Sequence, residues 1–232
     1  MLFWSEAVAF HQLSTKQGEQ ADIAHKLGQK VFAHGWHNNL PYAGDIQDMQ
    51  SVVGIDAEHA KGWHAGGGAL INYSDPFPGQ ENPVWFRRRI GLRMYKAGYD
   101  GQMLHGFVNP RAPWNEFAYD GGGDGNYRNF CMVYMQQDSF ICTLALEGYR
   151  EAFDDIRYAT RLRQLALANR DSKDNDLSRE SRRQLLWLEN LDGSTADLDM
   201  VRFGLIDRIW LLQDMIKAHK GVLPPADKVA KK

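Results

Sequence analysis

The stretch GGGALINYSDPFPGQENPVWFRRRIGLRMYKAGYDGQMLHGFVNP, residues 66–110, contains the pattern that determines the predicted fold. Its apolar run Ala69–Tyr73 predicts a strand, and a second apolar run, Met103–Val108, predicts another. Between them, Asn82 followed by Pro83 is typical of the start of a helix. A strand, a helix and a strand joined by short turns form a βαβ unit, which belongs to a parallel sheet.

Strand and helix patterns alternate along the chain up to a strand near residue 105. Apolar runs near residues 3, 32, 53, 71 and 105 predict strands, and helical patterns fill most of the gaps between them. This alternation is typical of an α/β protein, either a barrel or an open doubly wound sheet. The short separations favour the barrel, so we expect a barrel-like domain over residues 1–165.

Helical patterns dominate the rest of the chain. A long helix is predicted with its apolar side formed by Leu146, Tyr149, Phe153, Ile156, Ala159 and Leu162. The polar residues 169–178 predict a linker, and further helices are predicted at Arg179–Leu188 and Leu198–Ala218. We therefore expect a helical extension over residues 166–220 and a disordered tail over residues 221–232.

The composition argues against several classes of protein. The 232 residues carry a formal net charge of -2, which gives no electrostatic reason to expect nucleic acid or a membrane as a partner. No run is apolar and long enough to span a membrane, and no secretion signal follows Met1, so the cellular location stays open. No phosphate loop with the required lysine occurs, so no cofactor is predicted. The spacing of Cys131 and Cys142 does not indicate a metal site.

The predicted catalytic residues lie at the carboxyl ends of strands, where α/β barrels carry their chemistry. Glu6 follows the first apolar run close to Trp4, so it is placed to act as a general acid. The alternative is a solvated carboxylate at the end of an element. Asp75, in the segment SDPFPG, could orient a substrate hydroxyl, or it could form an Asx-type turn before a proline.

Aromatic, imidazole and amide side chains near the same strand ends predict the substrate-binding part of the site. These residues are Trp4, His34, Trp36, Asn72, Tyr73 and Asn109. Seven Trp, nine Tyr and eleven Phe residues supply either core packing or stacking surfaces for sugar rings. No second pair with ligand spacing accompanies the histidines, so no metal is predicted. The run Arg87–Arg89 predicts a solvated helix face rather than a phosphate site, because cations are unfavourable at a helix start.

Three segments together resemble the carboxyl-terminal half of the catalytic domain in bacterial proteins related to glycoside hydrolase family 123 and in their uncharacterised relatives. The segments are KVFAHG at residues 30–35, GGGALINYSDPFPGQENPVWFRRRIGLRMYKAGYDG at residues 66–101 and LEGYREAFDDIRYATRL at residues 146–162. The resemblance spans most of residues 1–165. It implies a partial (β/α)8 TIM-type barrel of about the last five βα units, in proteins that act on β-linked N-acetylhexosamines or related sugars.

The family's catalytic mark is an adjacent Asp-Glu pair at the end of a middle barrel strand. Its Glu is the general acid, and its Asp steadies the substrate's acetamido group as that group attacks the anomeric carbon. The matching pair here is Ser5-Glu6, so Glu6 fits the acid, whereas Ser5 cannot supply the negative charge of the Asp. The resemblance also implies that the first three βα units are absent. We expect them from a longer gene product, which we favour, or from a partner or second copy.

Several functions remain open at this point. The first is a glycoside hydrolase-like protein with Glu6 as proton donor to a carbohydrate substrate. The second is a catalytically inactive carbohydrate-binding or structural relative, or a gene fragment without activity. A second carboxylate, Asp56 or Asp75, in one cleft with Glu6 would favour hydrolysis. An unrelated α/β enzyme would require a cofactor loop that the sequence does not contain.

Overall fold

The computed structural model of the chain describes residues 18–35, 40–74, 82–104, 107 and 132–225. The chain divides into two compact units. The sheet unit comprises Met1–Gly79 and Ala97–Ile141, and the helical unit comprises Gln80–Lys96 and Cys142–Lys232. This division differs from the boundary expected between residues 165 and 166, which lies within a continuous helix, Leu144–Asn169.

Four parallel strands form the sheet of the sheet unit, in the order β1-β2-β3-β4. They are β1 (Phe32–Gly35), β2 (Met49–Val53), β3 (Ala69–Ser74) and β4 (Gly101–Leu104). The parallel sheet and its intervening helices confirm the predicted α/β class. The four strands lie at or close to the apolar runs near residues 32, 53, 71 and 105, because an apolar run locates a strand but its pairing sets its ends. The strand predicted near residue 3 lies outside the described residues.

Helices precede and connect the strands of the sheet unit. Those in the described residues are α1 (residues 18–26), α2 (Leu40–Ala43) and α3 (Ala57–Ala65). Asp56 caps α3 as its carboxylate accepts a hydrogen bond of 2.9 Å from the amide of Glu58. The buried ring of Trp63 packs so closely on Gly68 that a β-carbon at Gly68 would lie 2.9 Å from the ring. This contact fixes α3 against the start of β3.

A carboxylate and a histidine stabilise the amino ends of neighbouring strands. The carboxylate of Asp48, directly before β2, accepts a hydrogen bond of 2.7 Å from the amide of Val31 and pairs with His25 Nε2 at 2.8 Å. The Val31 amide, followed by His25, holds the pKa of Asp48 below its usual value. The same arrangement recurs between β3 and β4, with Asp100, the amide of Leu70 and His64.

The helical unit is built from one interrupted helix and three long ones. Its elements are α4 (Pro83–Arg88), a π-helical segment (Arg89–Arg93), α5 (Met94–Ala97), α6 (Leu144–Asn169), α7 (Asn175–Glu189) and α8 (Leu198–Ala218). The start of α4 is as predicted, because the Asn82 side chain accepts a hydrogen bond of 3.1 Å from the amide of Trp85. In the sheet unit, a separate two-stranded sheet pairs β5 (Val133–Met135) with β6 (Phe140–Cys142), whose last residue belongs to the helical unit.

The prediction of a linker over residues 169–178 is wrong. Helix α6 continues to Asn169 and α7 begins at Asn175, so only five residues connect them. Asp174 makes the early start of α7 possible, because its carboxylate accepts a hydrogen bond of 2.9 Å from the amide of Leu177. Polar composition is equally typical of a linker and of a capped first turn, which is why the pattern was misleading.

The buried side of α6 is a line of small residues and not the predicted line of large ones. The buried residues at three- and four-residue spacing are Ala145, Gly148, Ala152, Asp155, Ala159, Leu162, Ala166 and Asn169. Gly148 lies against the backbone of Pro83, and a β-carbon at Gly91 would lie 3.3 Å from Ala152. Of the predicted side only Ala159 and Leu162 are buried. Close approach of the π-helical segment therefore selects small residues on α6.

A buried ion network joins three helices of the helical unit. The carboxylate of Asp155 accepts hydrogen bonds from Arg87 Nε at 2.7 Å and from Arg202 Nε at 2.6 Å. Arg87 also donates to Asp199 at 2.5 Å. Burial works against the charge of Arg87, but the bonds to the two carboxylates outweigh it and raise the pKa of Arg87. The prediction of a solvated face is therefore wrong for Arg87.

The first residues of the predicted tail are hydrogen-bonded to α6. The buried Asn169 side chain accepts a bond of 2.8 Å from the amide of Val222 and donates one of 2.7 Å to its carbonyl. Arg161 donates to the carbonyl of Pro224 at 2.8 Å. Residues 221–225 are therefore attached to the helical unit, and the rest of the predicted tail lies outside the described residues.

Candidate functional site

The structure describes three of the eight residues that the sequence places in the functional site: His34, Asn72 and Tyr73. The other candidates lie outside the described residues, namely Trp4, Glu6, Trp36, Asp75 and Asn109. The described part of the predicted site therefore lies at the carboxyl halves of β1, β2 and β3 in the sheet unit.

His34 and Tyr73 lie on one face of the sheet, with Ser51 between them. In the register of the parallel strands, His34 is opposite Ser51, and Ser51 is opposite Ile71, two residues before Tyr73. Paired residues on neighbouring strands share a face, as do residues two apart along a strand. The rings of His34 and Tyr73 are 4.6 Å apart between centroids with 58° between their planes. This distance is within the range of favourable aromatic pairs.

Ser51 is the polar group that the sequence reasoning missed. Its hydroxyl lies 3.0 Å from His34 Nδ1, and its side chain is buried. The hydrogen bond and the contact with Tyr73 together hold the imidazole in place. The sequence signal that could have identified Ser51 as part of the site is the presence of a serine within an apolar strand. The pairing of β1 with β2, which brings it to His34, is not visible in the sequence.

Asn72 lies on the opposite face and is not brought together with His34 and Tyr73. It pairs in register with Val52, and its fully buried side chain donates to the carbonyls of Val52, at 3.4 Å, and of Gly54. Gly54 has a φ of 90°, a conformation that suits glycine at the turn after β2. The described contacts of Asn72 therefore fix this turn.

The face that carries His34 and Tyr73 has exposed apolar side chains. Phe32, on the same face of β1, is 47% exposed, and Met103, which pairs in register with Tyr73, is 38% exposed. The surface therefore combines the imidazole of His34 and the ring of Tyr73 with exposed apolar side chains, while the hydroxyl of Ser51 is buried beside His34. Such a surface suits a ligand that has both apolar faces and hydroxyl groups.

The described residues show neither a metal site nor a membrane-spanning helix. They contain no group of three or more His, Cys, Asp or Glu residues that could hold a metal ion. Within the same residues, no helix has both the length and the apolar composition needed to cross a membrane. Comparison of the chain with protein-family models and with curated proteins gives no match.

Proposed function

We propose that the chain is part of a glycoside hydrolase-like protein that binds a sugar at the carboxyl ends of β1, β2 and β3. The observation that carries this proposal is the ring pair of His34 and Tyr73, 4.6 Å apart on the face that also holds Ser51. Sugar rings present apolar C–H faces and hydroxyl groups, so aromatic rings beside polar groups suit them. The resemblance to family 123-like glycoside hydrolases favours the same class of ligand.

The architecture that we propose is a partial (β/α)8 barrel. Consecutive βα units of a TIM barrel place their strands in sequential, parallel order, as β1 to β4 are here, whereas a doubly wound sheet reverses direction. The exposed Phe32 and Met103 are side chains that the interior of a completed barrel would bury. Among the described strands β1 and β4 each have a single paired neighbour, so either edge can accept a strand from a longer chain or a second copy.

The chemistry that we propose rests on Glu6, by its match to the family's general acid. Glu6 would protonate the leaving-group oxygen of the glycosidic bond, and Asp75 would orient a hydroxyl group of the sugar. Ser5 replaces the family's Asp with a neutral hydroxyl, which cannot stabilise the positive charge that develops on the acetamido group. This replacement favours a second candidate function, sugar binding without hydrolysis.

The test compares hydrolysis and binding in the same variants. Wild type and Glu6→Gln are assayed on a panel of aryl glycosides that includes N-acetylglucosaminides and N-acetylgalactosaminides. Affinity for the parent sugars is measured by titration calorimetry with wild type, Glu6→Gln, Tyr73→Ala and, as a control, Tyr158→Ala. Tyr158 lies on α6 in the helical unit and is not part of the proposed site.

We expect Tyr73→Ala to weaken sugar binding roughly three- to tenfold, because an aromatic contact is worth about 0.5–1.5 kcal/mol. Tyr158→Ala should leave the affinity unchanged. Loss of hydrolysis in Glu6→Gln with binding retained would establish the glycosidase, whereas binding without hydrolysis in any variant would establish the second function. Equal affinities in wild type and Tyr73→Ala would refute the site.

A further inference from the structure

A cavity of about 250 Å³ in the helical unit is lined by three guanidinium groups. We call this site the arginine cavity. Residues that line it include Asn82, Trp85, Arg88, Arg89, Arg93 and Ser194. All of these residues belong to the helical unit, so the arginine cavity is independent of the candidate sugar site.

The π-helical segment brings Arg93 to the same cavity as Arg88. In a regular α-helix, residues five apart point in clearly different directions. The backbone of Gly91, with φ -83° and ψ -114°, departs from helical geometry and kinks the helix within this segment. The kink lies between Arg88 and Arg93, and both residues line the same cavity.

The loop between α7 and α8 forms the opposite wall of the arginine cavity. A β-carbon at Gly193 would lie 2.9 Å from the backbone of Leu92, so the loop lies directly on the π-helical segment. Arg88 Nη1 donates to the carbonyl of Ala196 at 2.9 Å, and Asp192 accepts from the amide of Ser194 at 2.7 Å. These contacts hold the Ser194 side of the loop in place at the cavity wall.

The positive charges of Arg88 and Arg93 at the arginine cavity are only partly compensated within the described residues. Arg87, on the same helix, is neutralised by two carboxylates. Arg88, in contrast, donates a hydrogen bond only to a neutral carbonyl, although the carboxylate of Asp192 lies close enough for the two charges to attract each other. Arg93 makes no hydrogen bond or ion pair with the part of the chain that the structure describes.

We propose that the arginine cavity binds a small molecule through a phosphate group. Planar guanidinium groups form paired hydrogen bonds with phosphate oxygens, and a phosphate offers three acceptor oxygens and nearly two charges. A carboxylate offers two oxygens and one charge, which matches fewer of the available donors. The Arg89 guanidinium lies 5.0 Å from the centre of the Trp85 ring, which keeps this cation oriented at the wall. A volume of about 250 Å³ is several times the roughly 30 Å³ of one water molecule, so a phosphate and a small attached group both fit.

The experiment is calorimetric titration of the full chain at constant ionic strength with inorganic phosphate, glycerol 3-phosphate and acetate. The informative variant is Arg93→Gln, because the Arg93 side chain is exposed and makes no hydrogen bond or ion pair with the described residues. The matched control is Arg157→Gln, an arginine on α6 whose side chain is 77% exposed. Thermal unfolding without phosphate is measured for both variants, and we expect neither variant to change the melting temperature.

We expect saturable binding of phosphate, weakened on the order of tenfold or more in Arg93→Gln and unchanged in Arg157→Gln, since a charged hydrogen bond is typically worth one to two powers of ten. Tighter binding of glycerol 3-phosphate than of phosphate would identify an esterified ligand, and equal binding would identify free phosphate. The proposal is overturned if neither phosphate probe binds saturably, if Arg93→Gln binds as wild type does, or if acetate binds as tightly as phosphate.

Discussion

Replacing Asp155 by asparagine tests the ion network of the helical unit. The substitution keeps the shape of the side chain but removes its charge, although Arg87 and Arg202 still surround it at 2.7 and 2.6 Å. Asp155 is fully buried, and the two arginine side chains are only 13% and 20% exposed. Removing one partner of a buried ion pair costs about 3–5 kcal/mol, because the remaining charge is left without compensation. Since Asp199 and Glu151 still contact the arginines, we expect a loss of about 3 kcal/mol in the free energy of unfolding.

The assay is urea unfolding followed by far-ultraviolet circular dichroism, which reports mainly on the long helices. The control is Asp154→Asn, on the next residue of α6, whose side chain is 34% exposed and pairs with Arg157 at 3.0 Å. An exposed pair of this kind contributes about 0–1 kcal/mol, so the control should be close to wild type. If the free energies of unfolding of Asp155→Asn and Asp154→Asn differ by less than about 1 kcal/mol, the ion network does not stabilise the helical unit to the expected extent.

Three further predictions concern packing, pH and the carboxyl-terminal segment. Gly148→Ala should lower the free energy of unfolding by about 1–3 kcal/mol, because its β-carbon would collide with the backbone of Pro83; an unchanged urea midpoint would contradict this. Asp48→Asn should destabilise the protein at neutral pH. The pKa of Asp48 is lower in the folded protein than in the unfolded chain, where it is about 3.9, so its ionised form stabilises the fold at any pH above that value. The difference between this variant and wild type in the free energy of unfolding should shrink as the pH falls through the pKa of the folded state. A difference that does not change with pH would contradict this prediction. Asn169→Ala should release the segment at Val222 and speed its removal by protease, whereas equal cleavage rates would count against the attachment.

Local sequence determined the start of α4 and both ends of α8, although not the start of α7. Asn82 before Pro83 begins α4 as predicted, and Gly98, with a φ of 80°, follows the end of α5. The bounds of α8, Leu198–Ala218, coincide with the prediction. Capping and glycine signals act within one turn of the chain, so they are readable without knowledge of the tertiary contacts.

The buried face of α6 could not be predicted from its own residues. Its larger side chains suggested a face through Leu146 and Phe153, but the buried line contains Gly148 and Ala152. The reason lies in another segment, because the backbone at Gly91 and Pro83 approaches α6 too closely for large side chains. Hydrophobic size predicts burial only when the neighbouring element leaves room for it.

For the candidate site, the sequence by itself determined which strands carry polar and aromatic residues near their carboxyl ends. Only the tertiary structure decided that His34 and Tyr73 meet on one face beside Ser51. Asn72 points to the other face. Alternation along one strand is a local property, so it separates Asn72 from Tyr73 even in an isolated strand. The register between β1, β2 and β3 joins residues far apart in the chain, and it depends on how the strands pair as a whole.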